Sequence, residues 1–219
     1  MIIAVDGPAG AGKSTVGKIL AQKMKFLYID TGAMYRALTL KVLDNKIDIK
    51  NIKAITALAK KTKIDLISPP KGQAKVLLDN KDVSLAIREP VVTKFVSDIA
   101  KIGPIRKIMV GLQRKLGKTK DCVLDGRDIG TVVFPKADRK FFINASFTER
   151  VERRYKDLLN LKITGISQKQ VAVDLKNRDT IDSTRKVSPL RIAKNAIYID
   201  TTNLSIEQVV DKMLNYVIR

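Results

Sequence analysis

Gly7, Gly12, Lys13 and Ser14 occupy every fixed position of the pattern Gly-x-x-x-x-Gly-Lys-Ser/Thr in the run Gly7-Pro8-Ala9-Gly10-Ala11-Gly12-Lys13-Ser14. Each part of that run has a chemical use. Glycines let the backbone turn so that successive N–H groups face one point, and the dipole of a helix starting there adds positive potential, which suits phosphate oxygens. A lysine at the end of the loop can reach β- and γ-phosphates, and the hydroxyl beside it can ligate Mg²⁺. Gly7, Pro8, Ala9, Gly10, Ala11, Gly12, Lys13, Ser14 and Thr15 are therefore the expected ATP-binding residues, with Ser14 as the expected Mg²⁺ ligand. A glycine-rich turn without a ligand is the bland alternative, but this loop lies between an apolar run and an amphipathic stretch.

The phosphate acceptor is the harder question. Arg36, Arg106, Arg127, Arg178, Arg185 and Arg191 stand out from a lysine-rich background. A guanidinium grips phosphate with two parallel N–H donors where an ammonium offers a point charge, so arginines reserved for loops are informative. Arg178, Asp182 and Arg185 are spaced i, i+4 and i+7, which puts them on one helical face. That spacing serves either a site or an exposed ion ladder. The chain has no histidine. A hydroxyl acceptor usually needs a base to take its proton, whereas a phosphate monoester is largely dianionic near neutrality and needs positioning and charge neutralisation. A nucleotide acceptor fits, although an aspartate could serve as base.

These groups need a scaffold. Met1 to Asp6 is a short apolar run ending at Gly7 and predicts a buried parallel strand. Val16, Ile19, Leu20 and Met24 predict the helix that follows. Phe26 to Asp30 predicts a second strand and Met34 to Leu43 a second helix. The alternation argues for an α/β fold with a parallel sheet flanked by helices. The pattern changes from Lys63 to Asn80, where Lys63 to Ser68 alternates, Pro69 to Gly72 turns, and Ala74 to Leu78 resumes strand character. A small antiparallel insertion near residues 63–90 is expected there. Two amphipathic helices follow, one with Val92, Phe95, Val96 and Ile99, the next with Ile105, Ile108, Met109, Leu112 and Leu116. Cys122 to Asp125, Lys140 to Asn144 and Ile197 to Asp200 return as strands. Ser146-Phe147-Thr148-Glu149 and Ser205-Ile206-Glu207-Gln208 have the form of capping boxes.

With 219 residues the chain suffices for one domain with insertions. One cysteine and no histidine exclude an internal disulfide, a zinc cluster and a histidine-based triad. No apolar run is long enough to span a bilayer, and the N-terminus does not resemble a signal peptide, so a cytoplasmic protein is expected. The net charge of +20 admits polyanionic partners. Much of it is lysine, expected on exposed helix faces at Lys46, Lys50, Lys53, Lys60, Lys61 and Lys63, and such dispersal does not suggest a nucleic-acid footprint. A monomer is the default, for want of an unassigned apolar stripe.

Three segments also resemble the bacterial cytidylate kinases, which are nucleoside monophosphate kinases: Asp30-Thr31-Gly32-Ala33-Met34-Tyr35-Arg36, Asp125 to Pro135, and Arg178 to Arg185 with Pro189-Leu190 behind. The resemblance runs essentially end to end and includes the place of the insertion. It implies a single P-loop kinase domain over 1–219, an acceptor-binding region over about 31–120 and a helical lid over about 162–188. It implies that Arg36, Arg127 and Arg185 clamp the acceptor phosphate and the transferring group, with Arg178 joining Lys13, Arg127 and Arg185 as catalytic groups. Asp128 is expected to accept the cytosine N4 amino group, with Ser97 and Arg106 completing the reading of the base. Arg178 and Asp182 are expected on the sugar side and in the lid. Ser97 could equally be a helix-face serine, and Thr31 a helix cap rather than a ligand. The implied substrates are CMP or dCMP with ATP and Mg²⁺. The lysine load and missing histidines differ from the family in flavour, at the surface rather than the site. A kinase for a small hydroxyl-bearing metabolite, such as a shikimate-type kinase, and a nucleic-acid-associated P-loop switch are the competing readings.

Overall fold

The computed structural model of the chain describes residues 1–67, 75–161, 163 and 165–218. Its centre is a parallel sheet of five strands. β1 (Ile2–Asp6) lies in the middle, β6 (Cys122–Gly126) and β2 (Leu27–Asp30) lie on one side, and β7 (Arg139–Asn144) and β8 (Ile197–Asp200) on the other. Ile3, Ala4 and Val5 of β1 are fully buried because helices cover both faces, which is why the strand reads as an unbroken apolar run. α1 (Lys13–Met24) and α8 (Ile206–Ile218) pack Val16, Leu20, Val210 and Met213 on one face against Ile3, Val5 and Phe141. Each such side chain contributes about 1.5–3 kcal/mol when withdrawn from water. Cys122 belongs to the cluster on the opposite face.

The parallel register brings the C-terminal ends of β1 and β6 together, pairing Asp6 with Gly126. The chain leaving β1 becomes the phosphate loop, and the chain leaving β6 becomes the segment Arg127-Asp128. Both groups of polar residues therefore come to one edge of the sheet, as α/β folds place their ligands.

α2 (Thr31–Asp44), α4 (Pro90–Ala100) and α5 (Gly103–Gly117) surround a separate core containing Met34, Leu38, Val42, Ile99 and Ile105. The expected antiparallel insertion is present as β3 (Ile64–Ile67) and β4 (Lys75–Leu78), paired from Ile64 with Leu78 to Ile67 with Lys75. The expected turn at Pro69 to Gly72 lies outside the described residues, as does Ala74. A third strand, β5 (Lys81–Asp82), adds to the expectation. Asp79 and Asn80 connect it to β4 with φ of 49° and 68°, the left-handed pair that a two-residue hairpin turn needs. α3 (Ile52–Lys60) is capped by Asn51, whose side chain accepts the Ala54 N–H. Of the six lysines assigned to helix faces, only Lys53 and Lys60 lie in a helix; Lys61 is the C-cap residue of α3, while Lys46, Lys50 and Lys63 lie in connections.

α6 (Phe147–Asn160) and α7 (Gln168–Thr184) form a pair over a small cluster of their own, Val151, Leu158, Val171 and Leu175, which reaches Ala9 of the phosphate loop. Lys162 and Thr164, in the expected lid, lie outside the described residues. The Ser205 capping box forms in full, whereas that at Ser146 forms by half. Ser146 accepts the Glu149 N–H, but the Glu149 carboxylate turns to Arg153 and the Ser146 N–H donates to Thr202. A salt-bridging partner one turn on outcompetes the return bond.

Candidate active site

The phosphate loop needs its glycines for two distinct reasons. Gly7 has φ of 149°, and a Cβ there would overlap the Ile143 carbonyl of β7. Gly10 has φ of 75°, and a Cβ there would come within 2.8 Å of the Arg150 carbonyl of α6. The loop is squeezed between the sheet and α6, and only glycine fits. α1 opens at Lys13 with no acidic residue in its first turn, leaving its N-terminal potential uncancelled. Lys13 is buried and folds back so that Nζ donates to the Pro8 carbonyl at 2.5 Å. Burial lowers its pKa to about 7 and Arg127 adds to the effect, while Asp125, Asp6 and Asp182 offset it only in part.

Beside the loop, Ser14 Oγ donates to Asp125 Oδ2 at 2.5 Å, and Tyr28 donates its hydroxyl proton to Asp125 Oδ1 at 3.0 Å. Burial raises the Asp125 pKa, and the Asp30 carboxylate pushes it further. A hydroxyl and a buried carboxylate side by side are hard oxygen donors suited to Mg²⁺, which binds few protein oxygens and keeps its waters. Asp125 was not among the expected site residues. Its signal was a carboxylate closing the apolar run Cys122-Val123-Leu124, the place where a second strand of such folds presents a metal-associated aspartate.

An unbroken chain of charge leads away from Lys13. Arg127 Nε donates to Asp182 Oδ2 at 2.8 Å, and Arg185 Nη1 donates to Asp182 Oδ1 at 3.3 Å. Arg185 Nη2 lies 3.8 Å from Asp128 Oδ1, and Arg106 Nη2 donates to Asp128 Oδ2 at 2.6 Å. Arg106, Asp128, Asp182 and Arg185 are all buried. Asp182 is therefore held by two guanidinium groups, and its carboxyl stays below the usual range despite burial. Arg36 and Arg178 extend the cationic side. Burial lowers the Arg36 pKa to about 9, with Arg178 and Arg154 adding repulsion, and burial lowers Arg178 to about 10, with Arg127 adding to it. Among the described residues, Arg36 Nη1 finds only the Ile87 carbonyl and the Thr93 hydroxyl, and Arg178 Nε is buried with no hydrogen-bond partner. Buried cations held by so few carboxylates make a cradle for a multiply charged anion.

The expected residues fall into place unevenly. Arg178 and Asp182 share α7, but Arg185 is the residue that caps it, beyond the last helical turn. The spacing nevertheless belongs to a buried cluster rather than an exposed ladder. Arg36, Arg106 and Arg178 sit on helices, so reservation for loops holds only for Arg127, Arg185 and Arg191, and Arg191 is exposed. Thr31 does not cap α2. Asp30 does, by accepting the Ala33 N–H, while the Thr31 hydroxyl donates to the Asp125 carbonyl at 2.6 Å. Ser97 is buried on α4, one turn before Ala100, whose carbonyl accepts Arg106 Nη1 at 3.0 Å. Arg150, on α6, was not among the expected site residues, yet it is buried, donating from Nη1 to the Ala9 carbonyl at 3.0 Å and to Asp179 Oδ2 at 2.5 Å. It braces the phosphate loop against α7, and nothing in its local spacing distinguishes it from exposed Lys156.

Fold and site together define a P-loop phosphotransferase. A family model described as cytidylate kinase matches residues 3–219. A cytidylate kinase of Caldanaerobacter subterraneus subsp. tengcongensis is 50% identical over 211 residues, covering 96% of this chain and 92% of that protein. Another, of Carboxydothermus hydrogenoformans, is 47% identical over 217 residues, covering 99% of this chain and 97% of that one. The chain belongs to the cytidylate kinase family, a family of nucleoside monophosphate kinases. Among solved structures, an uncharacterized protein from Eubacterium ventriosum shares the overall fold at a TM-score of 0.54 and 13% identity, covering all of this chain and 98% of that one.

Proposed function

We propose that this chain transfers the γ-phosphate of ATP to CMP or dCMP, giving ADP and CDP or dCDP, as a cytoplasmic enzyme of pyrimidine nucleotide metabolism. The observation that carries this reading is the run of ion pairs from Arg127, beside Lys13, to Arg106. It joins a triphosphate loop to a second site whose inner end is a carboxylate fixed by an arginine. Among the described residues, no helix is long and apolar enough to cross a membrane.

In this reading the backbone N–H groups of the loop from Gly7 to Thr15, Pro8 excepted, and the Lys13 ammonium hold the donor phosphates. Arg36, Arg127, Arg178 and Arg185 hold the acceptor phosphate and balance charge on the transferring group, which needs positioning more than a base. Asp128 Oδ2 is occupied by Arg106, and among the described residues Oδ1 makes no bond shorter than the 3.8 Å contact with Arg185. That oxygen is the acceptor for the cytosine N4 amino group; a uracil carbonyl facing it would leave the carboxylate unpaired and repelled. Ser97 and Arg106 complete the base side, and Thr31, through its tie to Asp125, seats α2 beside the acceptor. Ser14 and Asp125 would hold Mg²⁺, which supplies charge neutralisation at the β- and γ-phosphates.

The decisive experiment measures ADP release with ATP and Mg²⁺ in the presence of CMP, dCMP, UMP, AMP, shikimate or RNA. Turnover with CMP and dCMP well above the others, lost in Lys13→Ala, is expected. Turnover with shikimate alone, RNA-stimulated hydrolysis without an acceptor, or full activity in Lys13→Ala would each overturn the proposal.

A further inference from the structure

The last residue of β1, Asp6, is buried, and both of its oxygens are used. Oδ1 accepts the Ile129 N–H at 2.8 Å and Oδ2 accepts the Gly130 N–H at 2.7 Å. Those two amides directly follow Arg127 and Asp128. They open a single π-type turn, Ile129–Val133, where backbone donors have no partner within the turn itself. Packing around the clamp is tight: a Cβ on Gly130 would stand 3.3 Å from Asp6 Oδ2 and 3.2 Å from Ala193.

Among the described residues no lysine or arginine pairs with Asp6 at ion-pair distance. Its charge is held by the two amides, with Lys13 attracting it and Asp128 repelling it at longer range. Burial pushes its pKa up to about 6, so the fold retains this carboxylate at a cost. An asparagine offers one carbonyl oxygen and sets an NH₂ donor against the second N–H, so only a carboxylate accepts both amides.

We propose that Asp6 is a positioning residue for acceptor recognition, its carboxylate setting Arg127 and Asp128 in place relative to the phosphate loop that begins at Gly7. The donor and acceptor sites thus share one anchor, and a residue that touches neither nucleotide governs which base is accepted. This rests on the reading of Asp128 as the group that selects cytosine.

The test compares kcat/KM for CMP and UMP, and KM for ATP, in the unaltered chain and in Asp6→Asn. Losing one charge-assisted hydrogen bond corresponds to about tenfold or more. The CMP-over-UMP ratio should fall by that factor, mainly through KM for CMP, while KM for ATP stays within about twofold. A purely structural Asp6 would lower the melting temperature and leave the ratio alone, so a ratio within about twofold of the unaltered chain overturns the proposal. Should Asp6→Asn fail to fold, Gly130→Ala decides: it keeps the carboxylate but presses a methyl group against it. A reduced ratio there supports the anchor, and an unchanged one overturns it. Absence of CMP turnover in the unaltered chain would sink the functional reading and this inference together, whereas CMP turnover with an unmoved ratio sinks the inference alone.

Discussion

Asp128→Asn should have two separable consequences, because the carboxylate that pairs with Arg106 in the fold is also the group we propose for recognising the acceptor base. Asp128 Oδ2 receives Arg106 at 2.6 Å, and Oδ1 faces Arg185 at 3.8 Å, all within the buried cluster. Removing one partner of a buried ion pair costs about 3–5 kcal/mol. Here the lower figure applies. The asparagine carbonyl can still accept from Arg106, Arg106 keeps the Ala100 carbonyl, and Arg185 keeps Asp182. At roughly 2–4 °C per kcal/mol for a chain of this size, about 3 kcal/mol lowers Tm by roughly 6–12 °C. The acceptor side loses a hydrogen bond from cytosine N4 to a charged oxygen, about 1.5–3 kcal/mol, or about ten- to a hundredfold in the CMP-over-UMP ratio of kcat/KM. Thermal melting without nucleotide reads the first quantity, and a coupled assay for ADP release at saturating ATP reads the second. An unchanged ratio would remove Asp128 from base recognition whatever happened to Tm. An unchanged Tm would refute the accounting of the buried pair.

Ser14→Ala removes the hydroxyl that meets Asp125, so the Mg²⁺ concentration for half-maximal turnover should rise by about tenfold or more, and chelation by EDTA should stop turnover in the unaltered chain. An unchanged Mg²⁺ requirement in the variant would contradict the metal assignment. The Asp6 carboxyl has a folded pKa of about 6 against an ordinary 3.8. A raised acid contributes stability that is complete below pH 3.8 and is lost as pH rises through 6, an amount of about 3 kcal/mol. The stability of the unaltered chain relative to Asp6→Asn should therefore fall by about that much between about pH 4 and about pH 7, and a flat difference in chemical denaturation would disprove the burial assignment. Arg150→Met takes away the brace between Ala9 and Asp179, whose Oδ1 is already buried without a partner among the described residues. KM for ATP should rise about tenfold with a smaller effect on KM for CMP, and an equal change in both would show that α6 does not specifically support the donor loop.

The donor loop was legible because its chemistry is local. Directly after an apolar strand, glycines, a lysine and a hydroxyl are gathered between Gly7 and Ser14, and a left-handed turn plus a helix N-terminus suffice to aim them. The antiparallel insertion was legible for the same reason, since alternation within four-residue strands reports one buried face. β5 was missed because two residues are too few to show a period, and only the positive φ of Asp79 and Asn80 brings them back against β4.

Residue type and order settled by themselves that a P-loop motif lies at residues 7–14, that strands alternate with helices, and that the sequence offers arginines and no histidine to the site. The partners of those arginines were decided only by the tertiary structure. Asp6 and Ile129 are separated by 123 positions and Ser14 and Asp125 by 111, and no periodicity within either segment encodes the meeting. Parallel pairing of β1 with β6 brings those loops to one sheet edge, and burial there turns scattered charged residues into a connected cluster whose members must satisfy one another.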